Sequence, residues 1–190
     1  MLNTPKSQKI RHAYPLVAAV FLAVLTYGFP ASALALGQRQ VIRGGVPVYV
    51  HPDEPTPVRQ AVSDLLRDLE NVFGQASLLV DTLPANASAI VVATGDRYRG
   101  RMPAARGWEA HQVYADGNRV VLNGADLRGT IYAVYTFSES FLGVKPLWRW
   151  TSEKPTPTDQ VAIPDRFHLA VPPPSIKYRA WFPKDRKSVV

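Results

Sequence analysis

The sequence contains no cysteine and only four histidines, and these two facts exclude several kinds of site. Without cysteine, neither a disulfide framework nor a thiolate zinc site can form. The histidines are scattered, with no pair at helical i, i+4 spacing and no HExxH motif. Because a metal site needs clustered ligands, we expect no metal and no other cofactor.

Motifs that support covalent or phosphate chemistry are also missing. The chain has neither a GxSxG nucleophile elbow nor a glycine-rich GxGxxG or GKS phosphate loop. Arginines at positions 97, 99, 101 and 106 form a basic loop, but no nucleic-acid-binding motif accompanies them. We therefore expect no nucleic-acid partner, and the loop either meets an anionic sugar or is solvated.

No strongly apolar run is long enough to cross a bilayer. The apolar run from Leu16 to Phe29 has 14 residues, whereas a transmembrane helix needs about 20. A basic start precedes this run and small residues follow it at 31–35, which is the pattern of a secretory signal. Residues 1–35 are thus predicted to be a cleaved signal peptide, so the protein is secreted or periplasmic and touches the membrane only transiently. An uncleaved membrane anchor is the alternative.

Two stretches carry the three-and-four spacing of apolar residues that places one stripe on a helical face. The first is predicted to start with Thr56 as N-cap and Pro57 in the first helical position, and to end at Gly74. The second is predicted to start with Asp126 as N-cap and to end at Gly143. The predicted buried stripes are Val58, Val62, Leu65, Leu69 and Val72 in the first helix, and Leu127, Ile131, Val134, Phe137, Phe141 and Leu142 in the second.

Short β-rich runs separate these helices. The continuous apolar run 89–93 predicts a central strand buried on both faces, and 111–122 predicts a hairpin around Asp116-Gly117-Asn118. Further strands are expected at 46–50 and 78–80. Over residues 36–150 we therefore predict an α/β fold of the two-layer α+β sandwich type. Its mixed sheet would have about four to six strands, with two helices packed on one face.

The composition changes after Trp150. Repeated prolines predict an extended linker over residues 151–175. Residues 176–184 look like the first strand of a further domain. The last six residues, 185–190, are what one reading frame of a common sequencing-library adapter encodes, so we predict that this tail is not native. A natural basic C-terminus is the alternative.

Three segments together resemble one group of enzymes. They are Leu122–Val144, which contains RGTIYAVY, the Trp148-Arg149-Trp150 exit, and PPPSIKYRAWF at Pro172–Phe182. They resemble the N-terminal region of secreted glycoside hydrolases of the α-glucuronidase type, families 67 and 115. They are also similar to the small α/β domain before the barrel in family 20 hexosaminidases. The resemblance implies that residues 176–184 enter a (β/α)8 barrel that this chain lacks.

The same resemblance implies that the catalytic carboxylates belong to the missing barrel. Glycoside hydrolysis uses two carboxyl groups separated by about 5 to 9.5 Å. Asp126 and Glu139 share the second helix but lie thirteen positions apart, or roughly 20 Å along its axis. We therefore expect no catalytic residue in this chain, with Asp126 as a cap and Glu139 solvated.

Four residues remain as candidates for substrate binding. Trp148 and Trp150 could stack on a sugar face, and Arg149 or Arg128 could meet the carboxylate of a uronic acid. Alternatively, the tryptophans pack against the barrel, and Arg128 pairs with Asp126 or with a backbone carbonyl. The chain is thus predicted to be the non-catalytic N-terminal domain of a truncated, α-glucuronidase-like glycoside hydrolase with a carbohydrate partner. The alternative is a self-standing exported carbohydrate-binding or structural module.

Overall fold

A computed structural model of the chain describes residues 39–148, 151 and 153–177. The described elements are β1 (Arg39–Arg43), β2 (Val48–Val50), α1 (Thr56–Phe73), β3 (Leu79–Val80), β4 (Ala89–Thr94), a 3₁₀ turn (Gly95–Arg97), β5 (His111–Asp116), β6 (Arg119–Gly124), α2 (Leu127–Leu142), β7 (Gln160–Pro164) and β8 (His168–Val171). None of the described helices is long and apolar enough to cross a membrane.

Within the described residues, the main sheet has six strands in the order β3-β2-β4-β6-β5-β8. Strands β3, β2, β4 and β6 pair in parallel, whereas β5 pairs antiparallel with both β6 and β8. Strands β1 and β7 form a separate antiparallel ribbon. The predicted mixed sheet of an α/β sandwich is therefore confirmed, with β4 at its interior as expected from the apolar run 89–93.

The two faces of the sheet bury different sets of side chains, because successive residues of a strand point to opposite faces. Ile90, Val92 and Leu122 join α1 and α2 in the main core. Val91, Tyr114 and Val121 form a smaller cluster that loop residues cover, among them Leu83, Tyr98 and Met102. The helices thus cover one face, as predicted, and loops cover the other.

Helix α1 agrees with its predicted apolar stripe, and all five predicted residues are buried. Gly74 ends the helix in the left-handed conformation with φ 68°, as the sequence indicated. The N-terminal cap differs from the prediction. Pro55 occupies the N-cap position without a side-chain bond, so Thr56 is the first helical residue. Asp68, a charged residue outside the predicted apolar stripe, is only 4% exposed because α2 packs alongside α1.

Helix α2 also begins and ends as predicted. The Oδ1 of Asp126 accepts a hydrogen bond from the Gly129 amide at 2.8 Å, and Gly143 closes the helix with φ 66°. The backbone of Gly124 lies very close to the first turn of the helix. A Cβ at this position would lie 1.9 Å from the backbone nitrogen of Thr130, so only glycine fits. Only three of the six predicted stripe residues, Val134, Phe137 and Leu142, are fully buried. Leu127 is 36% exposed, and Ile131 and Phe141 are partly buried.

The segment predicted to be an extended linker contains two strands of the fold. Strand β8 adds to the free edge of β5, pairing His111 with Val171 and Tyr114 with His168. Strand β7 pairs with β1 and buries Ile163 completely in the main core. The linker prediction was therefore wrong for residues 160–171. The prolines around these two strands favoured a linker in the sequence pattern, and the strands that they pair with lie far away in the sequence.

Candidate functional site

A groove of about 450 Å³ lies where α2 ends and the chain turns through Lys145–Trp148. Trp148 is half-buried and packs against the main core, while Leu147 beside it is 65% exposed. The turn is held by a hydrogen bond from the Trp148 amide to the Lys145 carbonyl and by an ion pair between Lys145 and Glu153 at 2.7 Å. The predicted site residue Trp148 therefore lines a real concave surface.

Side chains of both helices complete this groove. Tyr135 of α2 is 44% exposed and donates its hydroxyl to Asp64 Oδ2 of α1 at 2.9 Å. Asp64 also forms an ion pair with Arg67 of the same helix. Glu139 is exposed on the groove wall, as predicted for a solvated helix residue. In such a groove an aromatic ring can stack on a sugar ring, and a neighbouring carboxylate can accept hydrogen bonds from the sugar hydroxyl groups.

Arg128 lies away from this groove, at the start of α2. Its Nε lies 2.8 Å from Oε1 of Glu109, and its Nη2 donates to the hydroxyl of Tyr132 at 3.0 Å. Its guanidinium also lies over the ring of Trp108, 5.5 Å from the centroid, a cation–π geometry. Lys177 approaches the same ring at 5.6 Å. Arg128 is thus held on the protein surface by the carboxylate of Glu109 and by the side chains of Trp108 and Tyr132.

The partner of Arg128 differs from those that the sequence indicated. Asp126 does not pair with Arg128, because its Oδ1 caps α2 and its Oδ2 accepts a hydrogen bond from the Glu109 amide at 2.9 Å. Glu109 is only 2% exposed and adopts a left-handed backbone with φ 58°. Sequence reasoning missed Glu109 because it lies in an irregular loop. The single available signal was an acidic residue beside Trp108 in an otherwise basic segment.

The structure does not bring the candidate residues Arg128 and Trp148 together. Helix α2 has 16 residues and is therefore about 24 Å long. Arg128 lies in its first turn, whereas Trp148 follows its last turn. One ligand of monosaccharide size therefore cannot touch both. Arg149 and Trp150, the other two candidates, lie outside the described residues.

His111 lies beside the Arg128 cluster and is buried. Its Nδ1 is 3.2 Å from the carbonyl oxygen of Glu109, and its Nε2 is 3.0 Å from the Thr136 hydroxyl. Because a carbonyl can only accept, Nδ1 carries the proton and Nε2 accepts from Thr136. Burial lowers the pKa of His111 below its usual value of 6.5. The imidazole is therefore neutral at pH 7 and links β5 to α2.

A second buried carboxylate was also missed from the sequence. Glu54 accepts hydrogen bonds from the amide and the hydroxyl of Thr94, each at 2.7 Å, and lies 3.2 Å from Arg97. The Thr94 hydroxyl is in turn 2.7 Å from that of Thr130 in α2. Glu54 thus connects the start of α1 to the end of β4 and the start of α2. Its role is to hold elements together.

The buried carboxylates Glu54 and Glu109 are each occupied by structural partners. They hold backbone or arginine groups, so neither is free to act as the acid or nucleophile of a glycosidase. Within residues 39–148, 151 and 153–177, no group of three or more histidine, aspartate or glutamate side chains is placed to hold a metal ion.

Comparison with known proteins finds a similar fold among solved structures. No protein-family model and no curated protein matches the chain. Among solved structures, it is similar to a family GH115 4-O-methyl-α-glucuronidase with specificity for decorated arabinogalactans. That similarity has a TM-score of 0.59 and 21% sequence identity, and it covers 68% of this chain and 18% of that one.

Two other solved structures show weaker similarity, with TM-scores below 0.5. A β-N-acetylhexosaminidase from Bacteroides fragilis has a TM-score of 0.37 and 15% identity, and CpGH84D has a TM-score of 0.38 and 11% identity. Each covers 66% of this chain and 21% of the other. The chain therefore spans about a fifth of the length of the structures it matches. At these identities the similarity to the GH115 structure shows a shared fold for the α/β sandwich.

Proposed function

We propose that the chain is the small, non-catalytic α/β domain of a secreted glycoside hydrolase related to the α-glucuronidases. The observation that carries the proposal is the similarity of its sandwich to a GH115 4-O-methyl-α-glucuronidase structure. The matched region is 18% of the length of that enzyme. The RGTIYAVY segment, the most specific part of the family resemblance, lies in α2, the second of the two helices of that sandwich. In this proposal the residues that cleave the glycosidic bond lie in a barrel encoded after Phe182.

The state of the carboxylates supports a non-catalytic role. Glu54 and Glu109 are buried and used to hold the fold, and Asp126 is used as a helix cap. Asp64 is engaged with Arg67 and Tyr135. A glycosidase instead needs two carboxyl groups free to face one bond. In the longer protein, this domain would pack beside the part that supplies such a pair of carboxyl groups, without supplying them itself.

The test compares two proteins from the same gene. The genomic sequence after the codon for Phe182 is determined, and both the 190-residue chain and the extended product are expressed. Release of 4-O-methylglucuronic acid is then measured with glucuronoxylan and with an arabinogalactan. We expect no release by the 190-residue chain and release by the extended product. A genomic stop codon after Val190, or hydrolysis by the 190-residue chain itself, would contradict the proposal.

One observation favours a second candidate function, a self-standing carbohydrate-binding module. The groove at Tyr135 and Trp148 combines exposed aromatic surface with the carboxylates of Asp64 and Glu139. Binding of the 190-residue chain to insoluble glucuronoxylan would be measured in a pull-down assay. Binding that is lost in Trp148→Ala, together with a genuine stop after Val190, would favour the module. Aggregation of the chain without binding would favour a domain that lacks its packing partner.

A further inference from the structure

Four residues of α2 form a stripe on the outer face of the helix. Arg128, Tyr132, Tyr135 and Glu139 follow one another at spacings of four, three and four positions, which place them on one helical face. Arg128, Tyr135 and Glu139 are exposed and Tyr132 is partly exposed, whereas the opposite face of α2 is buried in the main core. We call these four residues the outer stripe.

The outer stripe has a symmetrical order, with a cation at one end, two tyrosines in the middle and an anion at the other end. Arg128 and Glu139 lie at equal distances from its midpoint, and so do Tyr132 and Tyr135. Two copies of the stripe that pack antiparallel would therefore place Arg128 opposite Glu139 of the partner subunit, and Tyr132 opposite Tyr135 of the partner subunit. Both charge pairs form at once, because the charged ends are roughly 16 Å apart in each copy.

The charges at the two ends of the outer stripe are able to meet a partner. Arg128 uses its Nε for Glu109 and its Nη2 for the hydroxyl of Tyr132, but a guanidinium carries five N–H donors, and this side chain is 52% exposed. Among the described residues, no cation lies within ion-pair distance of Glu139. A carboxylate from a second copy can thus reach Arg128, and a guanidinium from that copy can reach Glu139.

We propose that the outer stripe is a self-association surface, on which a second copy of this chain binds with its α2 antiparallel to the first. The charge order selects a second copy, since the stripe complements itself when reversed, whereas a parallel pairing would set like charges against each other. Both copies use the same surface, so the contact closes as a twofold dimer. The tyrosine rings supply apolar contact at its centre. This dimer does not depend on the proposed function.

Nearby apolar surface extends this interface, which remains small. Leu147 is 65% exposed and lines the same groove as Tyr135 and Glu139. The face of α2 is about 24 Å long and roughly 10 Å wide, well below the roughly 800 Å² per partner of a standard stable interface. We therefore expect a weak, reversible dimer. Its ion pairs lie near solvent, so salt should weaken it further.

Sedimentation equilibrium of the full chain over a range of protein and salt concentrations measures the association. We expect a reversible monomer–dimer equilibrium that shifts toward monomer as salt is raised. Glu139→Arg sets like charges opposite each other at both ends of the stripe and should raise the dissociation constant at least about tenfold. Glu70→Arg is the matched control, because it makes the same charge change on α1, and it should leave the dissociation constant unchanged. Both positions are exposed, so the fold should be kept.

Cross-linking tests the antiparallel geometry, since the chain has no cysteine of its own. Tyr135 lies close to the expected twofold axis, so Tyr135→Cys should form a disulfide-linked dimer on mild oxidation, whereas Ser63→Cys at an exposed position of α1 should not. A chain that stays monomeric at every concentration overturns the proposal and leaves the outer stripe to a different partner. Association that Glu139→Arg does not weaken, or that links Ser63→Cys as readily as Tyr135→Cys, overturns it as well.

Discussion

The guanidinium of Arg128 and the carboxylate of Glu109 form an ion pair at 2.8 Å, in which the Glu109 side chain is 1% exposed and that of Arg128 is 52% exposed. The pair joins the start of α2 to the loop before β5. A half-exposed cation therefore covers a buried anion at one end of the domain. Breaking such a pair from one side is costly, because the buried charge stays behind.

Replacing Arg128 should test this relationship. We expect Arg128→Ala to lower the urea midpoint of unfolding, because Glu109 loses its guanidinium partner while remaining buried. Adding Glu109→Gln to Arg128→Ala should restore part of the midpoint, since a neutral amide costs less to bury. Arg67→Ala, which removes an arginine from a more exposed pair, should change the midpoint little. Equal midpoints for the single and double variants would contradict this account.

The Glu54 carboxylate should contribute strongly to stability. Glu54→Ala removes the acceptor for the Thr94 amide and hydroxyl, and we expect it to cost about 2 to 4 kcal/mol in the free energy of unfolding. Asp53→Ala, at a neighbouring carboxylate that is 78% exposed, should cost less than about 0.5 kcal/mol. Urea unfolding at pH 7 measures both. Equal costs would show that the buried network adds little.

His111 should make stability depend on pH in the acidic range. Its folded-state pKa is lowered by burial, so the unfolded chain binds its proton first as the pH falls below about 6.5. The contribution of the neutral imidazole is therefore complete above that pH. It is lost as the pH falls toward the folded-state pKa, with a slope of at most about 1.4 kcal/mol per pH unit.

The measurement for His111 is the difference between wild type and His111→Asn in urea unfolding at several pH values from 5 to 8. We expect wild type to lose more stability on acidification than His111→Asn does. His51→Asn, which replaces a loop histidine near Asp53, provides the comparison. If the wild-type and His111→Asn curves run parallel across the range, the buried histidine does not control the acid sensitivity.

Strand β7 should be part of the cooperative fold. Ile163 is completely buried in the main core, and Ile163→Ala should cost about 2 to 5 kcal/mol through lost packing and a residual cavity. Val161 in the same strand is only partly buried, so Val161→Ala should cost clearly less. Thermal or urea unfolding compares the two variants. Similar small costs would mean that 160–164 behaves as the linker that its composition suggests.

Export and processing of the chain are also testable. Cleavage of the predicted signal at its small-residue sites should leave a mature N-terminus near Leu34 or Leu36. Mass spectrometry of the protein recovered from periplasm or medium measures this directly. An intact Met1 in the exported protein would refute cleavage and favour the membrane-anchor alternative.

Local patterns predicted much of the sandwich. The stripe of α1, the glycine ends at Gly74 and Gly143, and the cap at Asp126 depend on residues within one or two turns of each other, so they can be read along the chain. The hairpin of β5 and β6 is likewise set by its turn at Gly117. The local pattern misled at Leu127, a predicted stripe residue that is 36% exposed, and it did not indicate that packing between the helices would bury the charged Asp68.

The candidate sites depended on distant pairings. Trp148 was predicted as a site residue because its ring could stack on a sugar face, and the structure adds a groove by bringing Asp64 and Tyr135 beside it. Its separation from Arg128 follows from the length of α2. The partner of Arg128 carried only a weak sequence signal, because Glu109 reaches it from a separate, irregular loop.

By itself, the sequence determined the helices, the hairpin, the central strand and the sandwich class, because these follow from short-range periodicity and turn chemistry. Only the tertiary structure decided that Glu54 holds Thr94 across 40 positions, that Arg43 meets Gln160 across 117, and that residues 160–171 complete the fold. Strand β7 pairs with β1 and strand β8 with the free edge of β5, so each depends on a partner that lies far away along the chain. No local pattern in a proline-rich segment can indicate such a pairing.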